Sequence, residues 1–170
     1  MTMEGDMVKR VYHKEDRMAV DAGRTGFRVN GSFGAERVKD GLLLVSRILL
    51  MLLFVIFGWD KLFTYAETVT NFAHIGVPMP ALATLIAVVM ELVVGAALIV
   101  GVLTRPLAII LALYTFGTAL LGHHYWTLTG MQRVGAEIGF FKNVSIIAGL
   151  FLLYLTGAGK YSVDAMIWRE

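Results

Sequence analysis

Residues 42–63 read LLLVSRILLMLLFVIFGWDKLF, twenty-two positions with only Ser46, Arg47, Asp60 and Lys61 breaking an apolar run. A helix needs about 20 mostly apolar residues to cross roughly 30 Å of hydrocarbon, and this stretch supplies them. Three further runs follow. Ala81–Leu103 is interrupted by Glu91. Pro106–Tyr125 begins with a proline where a missing N–H costs a helix little. Gly139–Thr156 carries Lys142 and Asn143 near its start. No segment alternates at period two, which excludes a β-barrel. The expected fold is all-α, an integral membrane four-helix bundle.

Composition agrees. The 170-residue chain is 57% hydrophobic and 16% charged, against about 45–50% and 25% in soluble domains. That argues against a soluble enzyme, a disordered chain or a nucleic-acid binder. The net charge is only +2, and there is no cysteine, so thiolate-held zinc or iron–sulfur clusters are excluded.

Residues 1–40 stand apart as a polar, flexible cytoplasmic tail with eight Lys/Arg, seven acids and no long apolar run. Residues 7–20 fit an amphipathic helix with Val8, Val11, Tyr12 and Met18 leaning one way, although composition favours a solvated tail. The spanning domain is expected over 41–165, followed by a short tail at 166–170. Arg37, Lys39, Arg105, Lys160 and Arg169 fall on the side of the termini, against Lys61, Arg133 and Lys142 on the other. The positive-inside bias therefore places both termini in the cytoplasm, with Trp59, Tyr65, Tyr125 and Trp126 at the outer interface. About three residues join spans two and three, so those helices are antiparallel neighbours. Longer outer loops are expected at 64–80 and 126–138, the first folding back as a short interfacial helix.

Charges inside a bilayer are costly and mark functional candidates. Glu91 lies about ten residues into its span, near mid-membrane. Arg47 lies about 8 Å inside span one, and Lys61, fourteen residues later, returns to nearly the same face. Depth makes Arg47 or Lys142 the expected partner of Glu91. One reading is a register-fixing ion pair; the other is an acid and base lining a polar cavity for a quinone headgroup, protons or a small solute. His123 and His124 project about 100° apart, so one helix face cannot present both to a metal. With His74 or His13 they lack supporting carboxylates, and no metal site is assigned. Gly95, Ala96, Ala97 and Gly101, then Gly117 and Ala119, then Ala148 and Gly149, are expected to mark close helix approaches. No nucleotide or nucleophile motif occurs in a supporting context.

These residues resemble the DoxX family. The resemblance runs through Leu44-Val45-Ser46-Arg47, Phe57-Gly58-Trp59-Asp60-Lys61, Glu91-Leu92 with Gly95, and Gly101-Val102-Leu103-Thr104-Arg105. It continues through the histidine closing span three, Phe141-Lys142-Asn143, and Gly157-Ala158-Gly159-Lys160-Tyr161-Ser162-Val163-Asp164. It covers about residues 42–165 and leaves the tail as an addition. It implies a multi-pass protein of the bacterial inner membrane. The family takes its name from a subunit associated with a thiosulfate:quinone oxidoreductase and terminal oxidase, and other members are linked to oxidative-stress complexes with soluble redox partners. Its charged intramembrane positions fall on Arg47, Lys61, Glu91, His123 or His124, Lys142 and Asn143. The expected role is a membrane subunit of a respiratory or redox-stress complex that contacts quinone near Glu91. No catalytic motif or cofactor of its own is encoded. Expected partners are lipids, quinone, and a soluble or membrane redox protein; charged helix faces also allow a homo-oligomer. The alternatives are a small-solute or proton pathway and a membrane anchor that recruits a cytosolic partner.

Overall fold

A computed structural model describes residues 35–167 of the chain, with side chains from residue 38. The amphipathic reading of 7–20, His13 and most of the polar tail lie outside the described residues. Helix α1, Ala35–Phe63, carries the first span and begins well before its apolar run. A break at Thr64 leads into α2, Tyr65–His74, the short helix expected in the first outer loop.

The second span is not one regular helix. It runs as α3, Pro80–Val88, through a π-helical turn, Val89–Val94, into α4, Gly95–Val100. Helix α5, Thr104–Gly122, returns after the three-residue turn 101–103. That turn needs Gly101, which has φ 79°, and an added Cβ there would sit 2.5 Å from Ser162 Cβ. A 3-10 turn at Tyr125–Thr127 precedes α6, Gly130–Thr156, and α7, Val163–Ile167, ends the described chain.

Helix α6 starts nine residues ahead of the expected 139. Residues 130–138 are helical, but Gln132, Arg133 and Glu137 break their apolar pattern, with Arg133 and Glu137 4.0 Å apart on an exposed face. Hydropathy registers where a helix enters lipid, not where its hydrogen bonds begin. The expected loop at 126–138 is correspondingly shorter.

Four of these segments are long and apolar enough to span a membrane: Val38–Phe63, Pro80–Val100, Thr104–Thr127 and Gly130–Thr156. At most a third of each (22–33%) is buried inside the protein. The outward faces carry Leu49, Leu113, Leu152 and Leu155 at 63–68% exposure. Such apolar exposure suits lipid and not water. Contacts close the bundle in a ring. Gly95 approaches Val55, with an added Cβ at 3.3 Å, and Gly149 approaches Leu50 at 3.1 Å, so α1 lies between the second span and α6. Gly117 and Ala148 do not mark packing faces as expected: an added Cβ at Gly117 meets nothing within 4 Å, and Ala148 is exposed.

The packed core occupies one half of the bundle. Met51, Leu98, Ala108, Leu111 and Leu150 are fully buried, with Phe54, Ala112 and Leu153 around them. Leu98 and Ala108 flank the 101–103 turn, so this half lies toward the end that carries Arg47. The other half, from Glu91 toward α2 and the 3-10 turn, is where the site forms.

Candidate functional site

The π turn places Glu91 on the inner face of the second span, 8% exposed. Inserting a wide turn locally redirects the chain, and such bulges recur at functional sites. Gly58 of α1 lies directly against it: an added Cβ would come within 2.6 Å of Leu92 N and 2.9 Å of Glu91 Cβ. Only a residue without a side chain permits that approach. One turn on, at the end of α1, Lys61 Nζ reaches back to Glu91 Oε2 at 2.7 Å. The Tyr114 hydroxyl on α5 donates to Glu91 Oε1, also at 2.7 Å. Both carboxylate oxygens are thus bonded to donors, as a buried charge requires.

This arrangement corrects the expected pairing. Neither Arg47 nor Lys142 partners Glu91; Lys61 does. A comparison of depths along straight helices misses the close contact at Gly58 and the inward reach of a four-carbon stem. Tyr114 escaped sequence reasoning altogether, although a signal was there. Glu91 is eleven residues before Val102 and Tyr114 eleven after Leu103. Across a tight antiparallel turn, equal distances mean equal depth.

Above this trio the bundle opens into a cavity of about 550 Å³. Lys61, Glu91, His123, Lys142 and Asn143 all line it, together with Tyr114. Its wall is otherwise mainly apolar, with Phe54 and Phe57 from α1 and Phe72 from α2. Lys61 Nζ also lies 5.4 Å from the Phe57 ring centre, within cation–π range. His123 rests against α6 where Gly139 leaves room; an added Cβ there would be 2.5 Å from Nδ1. Among the described residues no group of His, Asp or Glu has the arrangement to hold a metal.

Two of the expected site residues lie elsewhere. His124 turns away, with Nδ1 3.0 Å from the Leu121 carbonyl and its ring against Trp126. Between the two histidines, His123 is the one facing the cavity. Arg47 sits in the packed half, 2% exposed. Its Nε donates to the Ile99 carbonyl at 3.0 Å, one guanidinium nitrogen to Tyr161 O at 2.7 Å and the other to Ala158 O. Ile99 lies in the last turn of α4, where carbonyls lack helical partners. Arg47 therefore fastens the second span and the post-α6 loop to α1.

Comparison with known proteins adds a family to this geometry. The DoxX family pattern matches residues 42–124. Inner membrane protein YphA of Escherichia coli (strain K12) is 48% identical over 133 residues, covering 78% of this chain and 93% of that protein. The chain belongs to the DoxX family. A second E. coli inner membrane protein, YqjF, is 35% identical over 79% of this chain and 98% of its own length. The ER-derived vesicles protein ERV29 of Saccharomyces cerevisiae is 27% identical, over only 34% of its length. No solved structure matches. This DoxX chain is a multi-pass inner-membrane protein. The DoxX match spans Arg47, Gly58, Lys61, Glu91, Tyr114 and both histidines, while Lys142 and Asn143 fall beyond it.

Proposed function

We propose that the chain is the membrane subunit of a quinone-linked respiratory or redox-stress complex, with the quinone ring entering the cavity beside Glu91. The observation that carries this reading is the cavity itself, about 550 Å³, apolar around its wall, with Lys61, Glu91, His123, Lys142 and Asn143 on its lining. Small-molecule sites occupy about 300–1,000 Å³ and combine such walls with a few convergent polar groups. The donor set fits a quinone, whose flat apolar ring carries two carbonyl acceptors, because Asn143 and Lys142 offer N–H groups. A bound quinone would supply reversible two-electron, two-proton chemistry. The chain's own share is to hold the ring, keep bulk water out and fix the Glu91 carboxylate through Lys61 and Tyr114. Electrons would come from a partner redox protein, since the chain has no cysteine to hold a cluster.

A solute or proton pathway is the second reading, favoured by the hydrogen-bonded Lys61–Glu91–Tyr114 trio at mid-span. A through-path would have to open the half sealed by Met51, Leu98, Leu111 and Leu150, all at zero exposure, so a site open toward one side is favoured over a conduit. The anchor reading rests on the tail, outside the described residues. The test is extraction with native lipids and mass spectrometry of what remains bound. Near-stoichiometric quinone that is lost in Glu91→Gln is expected. Lipid without quinone from the unaltered protein would sink the redox reading.

A further inference from the structure

Within the cavity, Glu91 is already satisfied by Lys61 and Tyr114, and its charge is matched. Asn143 is not. Its residue is only 7% exposed and lines the cavity from α6, and its carboxamide makes no hydrogen bond to any described residue. Its amide atoms are not sealed off, since the sealed and unbonded side-chain polar atom among the described residues is Thr104 Oγ1; two donors and two acceptor sites open to the cavity are free to bond to what fills it. Lys142, next to it in sequence and on the same cavity, has no carboxylate within ion-pair distance among the described residues, unlike Lys61. Free polar capacity is therefore concentrated where α6 meets the cavity, facing walls that include Phe54 and Phe57.

We infer that the Asn143 carboxamide is the seat for a ring-borne oxygen of the cavity's ligand, with Lys142 beside it and the ring against the apolar wall. The ligand class is a conjugated ring carbonyl, as on a quinone, or a phenol. This deepens the quinone reading and rests on it for the site, though not for the identity of the ring. A carboxamide suits such a ligand better than a carboxylate does. Its N–H donates to a carbonyl oxygen, and its Oδ1 accepts from a hydroxyl, so one planar group serves the oxidised and the reduced ring alike.

The test uses the full chain in detergent micelles, titrated with decylubiquinone and separately with 1-naphthol by native mass spectrometry, alongside thermal melts without ligand. Asn143→Leu should bind decylubiquinone at least about tenfold more weakly, while its ligand-free melting temperature stays equal or rises. A structural amide would show the opposite, a lower melting temperature. Gly117 supplies an independent variant, because it lines the cavity and an added Cβ meets nothing within 4 Å. Gly117→Leu should fold and lose binding by filling the space.

Wild-type affinity for decylubiquinone in Asn143→Leu overturns the seat and leaves the quinone reading standing. A fall in melting temperature with Asn143→Leu makes the amide structural and likewise overturns it. Retained affinity in Gly117→Leu removes the cavity as the site. If 1-naphthol binds in an Asn143-dependent way and decylubiquinone does not, the seat holds and the quinone reading fails. Binding of neither probe overturns both.

Discussion

Glu91 is tolerable in the membrane because both its oxygens are bonded, at 2.7 Å each, to Lys61 and Tyr114. Removing one member of such a pair is more damaging than removing both, since a lone charge remains in a poor solvent. Glu91→Gln should therefore destabilise the protein by about 3 kcal/mol, whereas Glu91→Gln combined with Lys61→Met should recover most of the loss. A double-mutant cycle of denaturant unfolding in detergent reads this directly, and additive losses would show that the two side chains do not interact. Gly58 works at the same scale with no functional group at all. With an added Cβ only 2.6 Å from a backbone nitrogen, Gly58→Ala should cost roughly 1–3 kcal/mol, seen as a lower melting temperature. A melting temperature equal to wild type would mean that the helices can separate freely there. The charge at Glu91 was legible from its improbable setting in an apolar run. Its partner was not, because the long, flexible lysine stem and a glycine contact fix the pairing in three dimensions.

Among the elements, α5 illustrates how a helix start is completed from far along the chain. Asp164 accepts from Leu103 N at 2.7 Å and Thr104 N at 2.8 Å, supplying the capping acceptor that the local sequence lacks. Partial burial pushes the Asp164 carboxyl up, but the Thr104 and Leu103 amides and the nearby Arg47 guanidinium outweigh this and hold it below the usual range. The unfolded carboxyl ionises near pH 4. Its stabilising contribution is accordingly complete above about pH 4 and is lost as the pH falls through the lower folded value. Asp164→Asn should cost about 1 kcal/mol at neutral pH, the difference between hydrogen bonds to a charged and to a neutral acceptor, and the gap from wild type should close below pH 4. Unfolding curves across that range provide the check; a gap that widens in acid would contradict the assignment. The motif around Asp164 stood out in the sequence as a family feature, yet its role depends on α7 folding back onto the 101–103 turn. The π turn at Val89–Val94 left no sequence mark, since its residues, Glu91 aside, are apolar like their neighbours. It is settled by what packs against it.

For the whole molecule, four spans place the ends of the spanning domain on one side of the membrane, and the lysine and arginine distribution predicts that this side is the cytoplasmic one. A fluorescent protein fused after Glu170 should fluoresce, and alkaline phosphatase at the same point should be inactive. A phosphatase placed in the 123–129 connection should be active. The reverse pattern would invert the bundle and turn the cavity toward the cytoplasm. The division of the bundle follows from side-chain volume. Leucine, methionine and alanine interdigitate near Arg47, whereas toward α2 the facing positions include Gly117 and Gly122, which leave space.

The sequence by itself determined the four spans, the all-α class, the family and the unusual cost of Glu91, because hydropathy, helix periodicity and charge are local properties that lipid reads one segment at a time. Tertiary structure alone decided that Lys61 and Tyr114 bond to Glu91, that Arg47 serves a separate fastening, and that His123, Lys142 and Asn143 share one cavity. Those outcomes turn on helix separation and rotation, which are set by glycine contacts and a single widened turn. No one segment encodes the distance to its neighbour.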